Sequence, residues 1–411
     1  MKFHALHLLL CFKLHCMEFH SLCAHEMPEK RSTRPHVLPI YATSSFDFES
    51  IDQGIDIFNG TQQGNSYSRY GNPTVSAVSD KIAALESMGT NVDASGIMVS
   101  SGMAAISSLA FAVLKSGDAV LTQGNLYGGT TELFYKIIEP LGVEIILADL
   151  NSADEVEAAL KKHKNIKLLY CETPANPTLA CLDIEMLCSL AHLHQVKFAI
   201  DNTFCSPYLQ KPFKFGADFV IHSTTKYLCG HGTTISGCIL ARDAQFMKDK
   251  IFPVVKLAGT NCSPFEAWLV NLGIKTLPLR MKQHCNNAMA LAEFLEQHPN
   301  VSKVNYPGLE KNANHELAKR QMQNGFGGML SFELKGGFQS AIAAMNKIKF
   351  CSLAPTLGDV DTLILHPASS SHLRVDKAVK EKFGITDGLI RVSTGIEDVS
   401  DIIADIQNAI H

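Results

Sequence analysis

Two patterns of apolar and polar positions divide this chain. From about residue 76 to residue 240, short apolar runs alternate with stretches of helical period. The runs fall at 97–100, 118–121, 144–148, 166–171, 197–200, 218–221 and 237–240. Each is short enough for a buried strand, and residues 77–87 and 103–114 have helical spacing. Continuous apolar runs separated by helices predict a mostly parallel sheet covered by helices on both faces, an α/β fold. After Ser263-Pro264 the pattern changes. A helical stretch covers 265–297 and should break near Pro278, because proline has no N–H to donate. Short strands are expected at 301–305, 329–334, 362–365 and 389–392, with helices between them. That predicts a second, smaller α/β domain. The expected boundaries are an N-terminal extension at 1–75, a large domain at 76–263 and a small domain at 264–411.

Composition adds limits. A chain of 411 residues buries a large core and suits two domains. It is 46% hydrophobic and 18% charged, as ordinary globular enzymes are. The net charge is −4 and basic residues are scattered, so neither nucleic acid nor an anionic membrane is expected as a partner. The 12 cysteines include no C-x-x-C pair. Cys171, Cys238 and Cys351 sit in apolar runs and read as buried thiols of a reducing, cytoplasmic compartment. No metal is expected, since the Cys and His spacing near the N-terminus fits no metal site. Residues 5–12 are apolar but interrupted by His7 and too short to span a bilayer. They also lack the features of a secretory signal. Met17 and Met27 offer alternative starts, and residues 1–26 read as an extension without a structural role.

The chemistry gathers at the carboxyl ends of the expected strands, where parallel sheets bind ligands. Lys226 follows the run 217–221 within His222-Ser223-Thr224-Thr225-Lys226-Tyr227. A lysine beside hydroxyls at a strand end suits an aldehyde cofactor: the amine forms a Schiff base and the hydroxyls take a phosphate. Asp201 ends another apolar run. It is either a helix cap or the acid that keeps a pyridine nitrogen protonated. The pair suggests pyridoxal 5′-phosphate (PLP). Gly102, in Ser100-Ser101-Gly102-Met103, opens a helix whose first N–H groups favour an anion; a plain serine cap is the simpler alternative. Tyr127 is either a turn residue or a stacking partner for the ring. Arg69, beside Tyr67, is either a surface residue or a phosphate ligand. Arg391 is a lone cation in an apolar run and needs an anion, either a structural carboxylate or the substrate's.

Several motifs occur in order: Tyr-Ser-Arg-Tyr-Gly-Asn-Pro-Thr (67–74), Ser-Ser-Gly-Met-Ala-Ala (100–105), Glu-Thr-Pro-Ala-Asn-Pro-Thr (172–178), Asp-Asn-Thr-Phe (201–204) and His-Ser-Thr-Thr-Lys-Tyr (222–227). Gly-Ile-Lys-Thr-Leu (273–277), His-Pro-Ala-Ser (366–369) and Arg-Val-Ser-Thr-Gly-Ile-Glu-Asp (391–398) complete the set. From about residue 38 onward the chain resembles the Cys/Met-metabolism family of PLP enzymes, the transsulfuration group. The resemblance implies the type I aminotransferase-like fold and a homotetramer built from active dimers, with the N-terminal region as an inter-subunit arm. It implies that Lys226 carries the cofactor and shuttles protons, and that Asp201 pairs with the pyridine nitrogen. Gly102, Met103, Ser223 and Thr225 would hold the phosphate. Tyr67 and Arg69 would complete the neighbouring subunit's site. Tyr127 would stack on the ring and handle a proton. Asn176 would lie near the 3′-oxygen, and Arg391 with Thr356 would take the amino-acid carboxylate.

Within that group, the residues point two ways. Gly129 stands where methionine γ-lyases carry cysteine, and Gly230-His231-Gly232-Thr233-Thr234 looks sulfhydrylase-like. Glu-Thr-Pro-Ala-Asn-Pro and Tyr-Leu-Cys-Gly-His-Gly resemble methionine γ-lyase, and Pro355 departs from both patterns. The expected reaction is γ-elimination from a sulfur amino acid, giving 2-oxobutanoate, ammonia and a thiol. The alternative is γ-replacement on O-acetyl- or O-succinyl-homoserine. A binding protein without turnover is a third reading, and the retention of Lys226, Asp201 and Arg391 counts against it.

Overall fold

The computed structural model describes residues 17–26, 35–370, 373 and 384–411. Its larger sheet has seven strands: β1 Ser95–Val99, β2 Ala119–Thr122, β3 Glu144–Leu147, β4 Ile166–Glu172, β5 Lys197–Asp201, β6 Phe219–His222 and β7 Gly237–Ala241. Their order is β1-β7-β6-β5-β4-β2-β3. The pairs among β3, β2, β4, β5 and β6 are parallel, and β7 runs antiparallel to both β6 and β1. Apolarity reveals that β7 is buried, not which way it runs. Side chains alternate between two cores, as strand geometry requires. Leu169, Cys171, Ile200 and Val220 face one core with Val78, Ile82 and Leu85 of the helix Pro73–Ser87. Leu168, Tyr170, Ala199 and Ile221 face the other with Ala105 and Leu109 of the helix Gly102–Val113. Each fully buried apolar side chain of this kind contributes about 1.5–3 kcal/mol of transfer free energy.

The second sheet comprises β8 Val301–Asn305, β9 Met329–Leu334, β10 Ser352–Leu353, β11 Leu363–Leu365 and β12 Leu389–Ser393, in the order β10-β11-β12-β9-β8. The long helical stretch breaks as its proline requires. One helix ends at Ile274 and the next, Leu277–Gln297, starts with Pro278 in its first turn, where no N–H is needed. Met281 and Cys285 of that helix join the large-sheet core, whereas Ala288, Leu291 and Leu295 join the small-sheet core. The two cores therefore part company within this helix. Residue 264 is a helix start, capped by Ser263.

The N-terminal residues correct the sequence reading. A helix at Phe19–Ala24 buries Leu22 and Cys23 in the larger core. Glu26 lies 2.6 Å from Lys275 Nζ and accepts bonds from Asn271. The buried Lys81 donates to Cys23 O at 3.1 Å and to Asn271 Oδ1 at 3.0 Å. Residues 17–26 are thus part of the packed body. Residues 5–12 and Met27 lie outside the described residues. Farther on, the helix Ile51–Asn59 leaves Ile51, Ile55 and Phe58 exposed along one face. Among the described residues no helix is long and apolar enough to cross a membrane.

Candidate active site

The ends of β4 and β5 place two carboxylates side by side, since Glu172 and Asp201 are register partners. Glu172 accepts the Tyr127 N–H at 2.8 Å and the Asn176 N–H at 3.2 Å. Asp201 accepts the Thr203 N–H at 2.9 Å. Burial raises the proton affinity of both groups, and the Asp201 charge raises that of Glu172 further. Bonds to Thr203 and the nearby His222 work the other way on Asp201. Adjacent buried carboxylates resist carrying two charges without a cation. Among the described residues neither has a lysine or arginine ion-pair partner.

From Asp201 the contacts lead to the lysine turn. Thr203 Oγ1 accepts the Ser223 N–H at 2.8 Å. Ser223 lies against the start of the helix Gly102–Val113, where a Cβ on Gly102 would fall 2.7 Å from Ser223 Cβ. Only glycine fits this crossing. Ser101 caps the Ala104 N–H at 3.0 Å, which leaves the N–H groups of Gly102 and Met103 without helical partners. Met103 is close to Tyr127, since a Cβ on Gly129 would lie 3.2 Å from Met103 Sδ and 2.6 Å from Tyr127 Cε1. The Tyr127 side chain is 46% exposed. Thr225 is differently placed: its hydroxyl accepts the Ser236 N–H at 3.0 Å and donates to Ser236 O at 3.1 Å. To bind a phosphate with its proton it must give up the second bond.

Lys226 and Arg391 meet at Thr356. Lys226 Nζ donates to Thr356 Oγ1 at 2.9 Å, and Arg391 Nη2 donates to Thr356 O at 2.8 Å. Arg391 Nη1 reaches Asn176 Oδ1 at 3.3 Å, and its buried Nε has no partner among the described residues. The arginine is only 3% exposed, and among the described residues no carboxylate pairs with it. Burial lowers the proton affinity of Lys226, and the Arg391 charge lowers it further.

Most of the sequence-derived site is therefore one contact network. It runs Gly102–Ser223–Thr203–Asp201, crosses by strand register to Glu172, and continues through Tyr127 and Asn176 to Arg391, Thr356 and Lys226. Tyr67 and Arg69 stand apart from it. Arg69 Nη1 donates to Lys256 O at 2.7 Å, and its guanidinium lies 4.8 Å from the Tyr70 ring centroid. Tyr67 bridges to Ser45 and is 42% exposed. Sequence reasoning gave no role to Glu172, although it ends an apolar run just as Asp201 does. Thr203 was also missed, and only its place two residues after Asp201 hinted at it.

The network fits PLP by its donor set. It offers an amine on Lys226, two carboxylates in want of a cation, free N–H groups and a hydroxyl at a helix start, and an exposed tyrosine ring beside them. Comparison with known proteins agrees. The chain is 46% identical over 374 residues to the L-methionine gamma-lyase of Fusobacterium nucleatum, spanning 91% of this chain and 93% of that protein. It is 40% identical over 371 residues to the O-succinylhomoserine sulfhydrylase of Pseudomonas aeruginosa, spanning 90% of each. Its fold matches the crystal structure of cystathionine gamma synthase from Xanthomonas oryzae with a TM-score of 0.89 at 35% identity, covering 96% of this chain and 98% of that one. The family model for Cys/Met metabolism PLP-dependent enzymes matches residues 20–411, and this chain belongs to that family.

Proposed function

We propose that this PLP enzyme catalyses γ-elimination on a sulfur amino acid of the methionine type. With one water, the substrate gives 2-oxobutanoate, ammonia and a thiol. The observation that carries this reading is the shared Thr356. A substrate carboxylate on the unsatisfied guanidinium of Arg391 would bring the substrate Cα close to the amine of Lys226. Bound PLP supplies an electron sink that makes protons on the carbons next to the amino group removable. Lys226 Nζ then takes the proton at Cα and returns it along the substrate chain. Asp201 and Glu172 hold the negative charge that keeps a pyridine nitrogen protonated. Tyr127, a partly exposed residue, gives a proton to the departing sulfur. Gly102, Met103, Ser223 and Thr225 take the phosphate. The γ-lyase at 46% identity supports elimination over replacement.

The active unit in this reading is a homotetramer built from dimers. The exposed Ile51, Ile55 and Phe58 support an apolar contact near the N-terminus. Tyr67 and Arg69, held away from Lys226 in their own chain, would complete the partner's phosphate site. A second reading, γ-replacement on an O-acyl-homoserine, draws on Gly129: the Tyr127 ring lies so close that no side chain fits there without moving it. Product analysis separates the two. Methionine, cystathionine, O-acetyl-homoserine and O-succinyl-homoserine are each incubated with and without sulfide. Release of 2-oxobutanoate from methionine without added thiol is expected. Turnover of homoserine esters alone, and only with sulfide, would overturn elimination.

A further inference from the structure

The strap that holds Lys226 carries an acid that the proposed chemistry does not yet use. Thr356 receives the Lys226 amine, and the chain from Thr356 to Asp359 then lies on the lysine itself. Gly358 has φ +84°, and a Cβ there would fall 2.8 Å from Tyr227 N and 3.3 Å from Lys226 Cα. A larger residue could not make that approach. The Gly358 N–H donates to Ser393 Oγ at 2.9 Å, which ties the strap to the strand bearing Arg391. Asp359 is pinned beside the lysine as a result. It is 7% exposed, and its Oδ1 is buried without a hydrogen-bond partner among the described residues. Its Oδ2 packs on Gly232, where a Cβ would sit 3.0 Å away, and the Gly232 backbone N–H supports the carboxylate. A buried carboxylate with an unused oxygen is costly unless a cation comes to it.

We infer that Asp359 is a positioning residue for Lys226, the counter-charge that holds the lysine amine whenever it is free and protonated. This rests on Lys226 being the cofactor lysine. The charges facing Lys226 are Arg391 and Asp359, and they oppose each other. Those facing Asp359 are Asp361, Lys226 and His231, with Arg280 farther off. The amine must be neutral to attack a carbonyl and cationic after taking a proton. A guanidinium on one side and a carboxylate on the other keep both forms within reach.

PLP is itself the probe. Wild-type enzyme is stripped of cofactor and mixed with PLP across a pH series, and the association rate is followed by absorbance. Only the neutral amine reacts, so the pH midpoint of the rate reports on Lys226. Removing the Asp359 charge disfavours the ammonium form. Asp359→Asn should therefore move the midpoint to lower pH, and below the wild-type midpoint it should bind PLP faster than wild type. A merely damaged fold would not give that gain. Asp359→Glu should return the midpoint toward wild type, and Asp361→Asn should leave it in place. If Asp359→Asn does not fold, Asp359→Gly removes the buried group outright and should show the same downward shift. An unchanged midpoint in whichever variant folds overturns the role of Asp359. The underlying assignment fails differently: Lys226→Ala would then take up PLP with the wild-type midpoint.

Discussion

Arg391→Lys tests the substrate site most directly. The guanidinium is anchored by two of its nitrogens, to Thr356 O and Asn176 Oδ1, and the buried Nε is left over. A carboxylate approaching that edge gains a charge-assisted pair of bonds in a fixed plane. Lysine keeps the charge, but its single ammonium cannot hold Thr356, Asn176 and a carboxylate in that geometry. Hydrogen bonds to charged groups are worth about 1.5–3 kcal/mol each. Loss of one such bond plus part of the anchoring amounts to about 2–4 kcal/mol, or roughly 30- to 700-fold in kcat/KM. The carboxylate keeps its charge throughout the reaction, so this binding is nearly uniform and the loss should appear mainly in KM. Cofactor should stay bound, because Arg391 bonds to none of the groups proposed to hold the phosphate, Gly102, Met103, Ser223 and Thr225. The assay is 2-oxobutanoate release against substrate concentration, with PLP stoichiometry read from absorption. An unchanged KM together with loss of PLP would show that Arg391 is a structural cation and refute the substrate assignment.

Lys226→Ala should abolish turnover and leave no borohydride-fixed pyridoxyl label; a labelled, active variant would remove Lys226 from the site. Arg69→Ala and Lys226→Ala, each inactive alone, should complement when dissociated and reassembled together. Random pairing makes half the dimers hybrid with one intact site each, so recovery should approach about a quarter of wild type; no recovery after verified exchange would refute a shared site. Burial lowers the pKa of Lys81 from 10.5 to about 8, so between those values the unfolded chain binds the extra proton and stability should rise with pH. Burial lowers Lys211 to about 8 as well, so Lys81→Met should lessen that rise without abolishing it in urea unfolding measured from pH 7.5 to 10, and an unchanged slope would show that Lys81 does not contribute.

The central strands were legible because β2, β6 and β7 are buried along their whole length and β4 along nearly all of it, so they read as apolar runs. The residues that end those runs in polar chemistry, Asp201 and Lys226, were legible for the same reason. Pro278 announced its own helix start. What the chain kept hidden depends on partners distant in sequence. The direction of β7 is fixed by the turn 223–236, which carries no apolar period. The helix Phe19–Ala24 is too short to show a period, and its burial depends on Lys81, Asn271 and Lys275 supplying polar partners around it. Glu172 gains meaning only from its register with Asp201. Thr225 shares a motif with Lys226, yet its hydroxyl is committed to Ser236, a residue beyond that motif. Asp359 lies in a loop that is held against Lys226 by contacts distant in sequence, and only the glycine beside it hinted at that close approach.

The imbalances of charge in this site are complementary. At one end, Glu172 and Asp201 lie together without a lysine or arginine partner among the described residues. At the other, Arg391 is buried without an anion among the described residues. Between them stands Lys226, whose amine is drawn toward neutrality by burial and Arg391 and toward charge by Asp359. Folding alone would favour cancelling these charges against one another, because each uncompensated buried charge is expensive. The two ends belong to different sheets: Asp201 ends a strand of the large sheet, whereas Arg391 lies within a strand of the small one. In the proposed reading a protonated pyridine would satisfy the first end and an amino-acid carboxylate the second. Cofactor and substrate together would complete the site electrostatically, and a substrate carboxylate on Arg391 would set its Cα near Lys226, because both residues bond to Thr356.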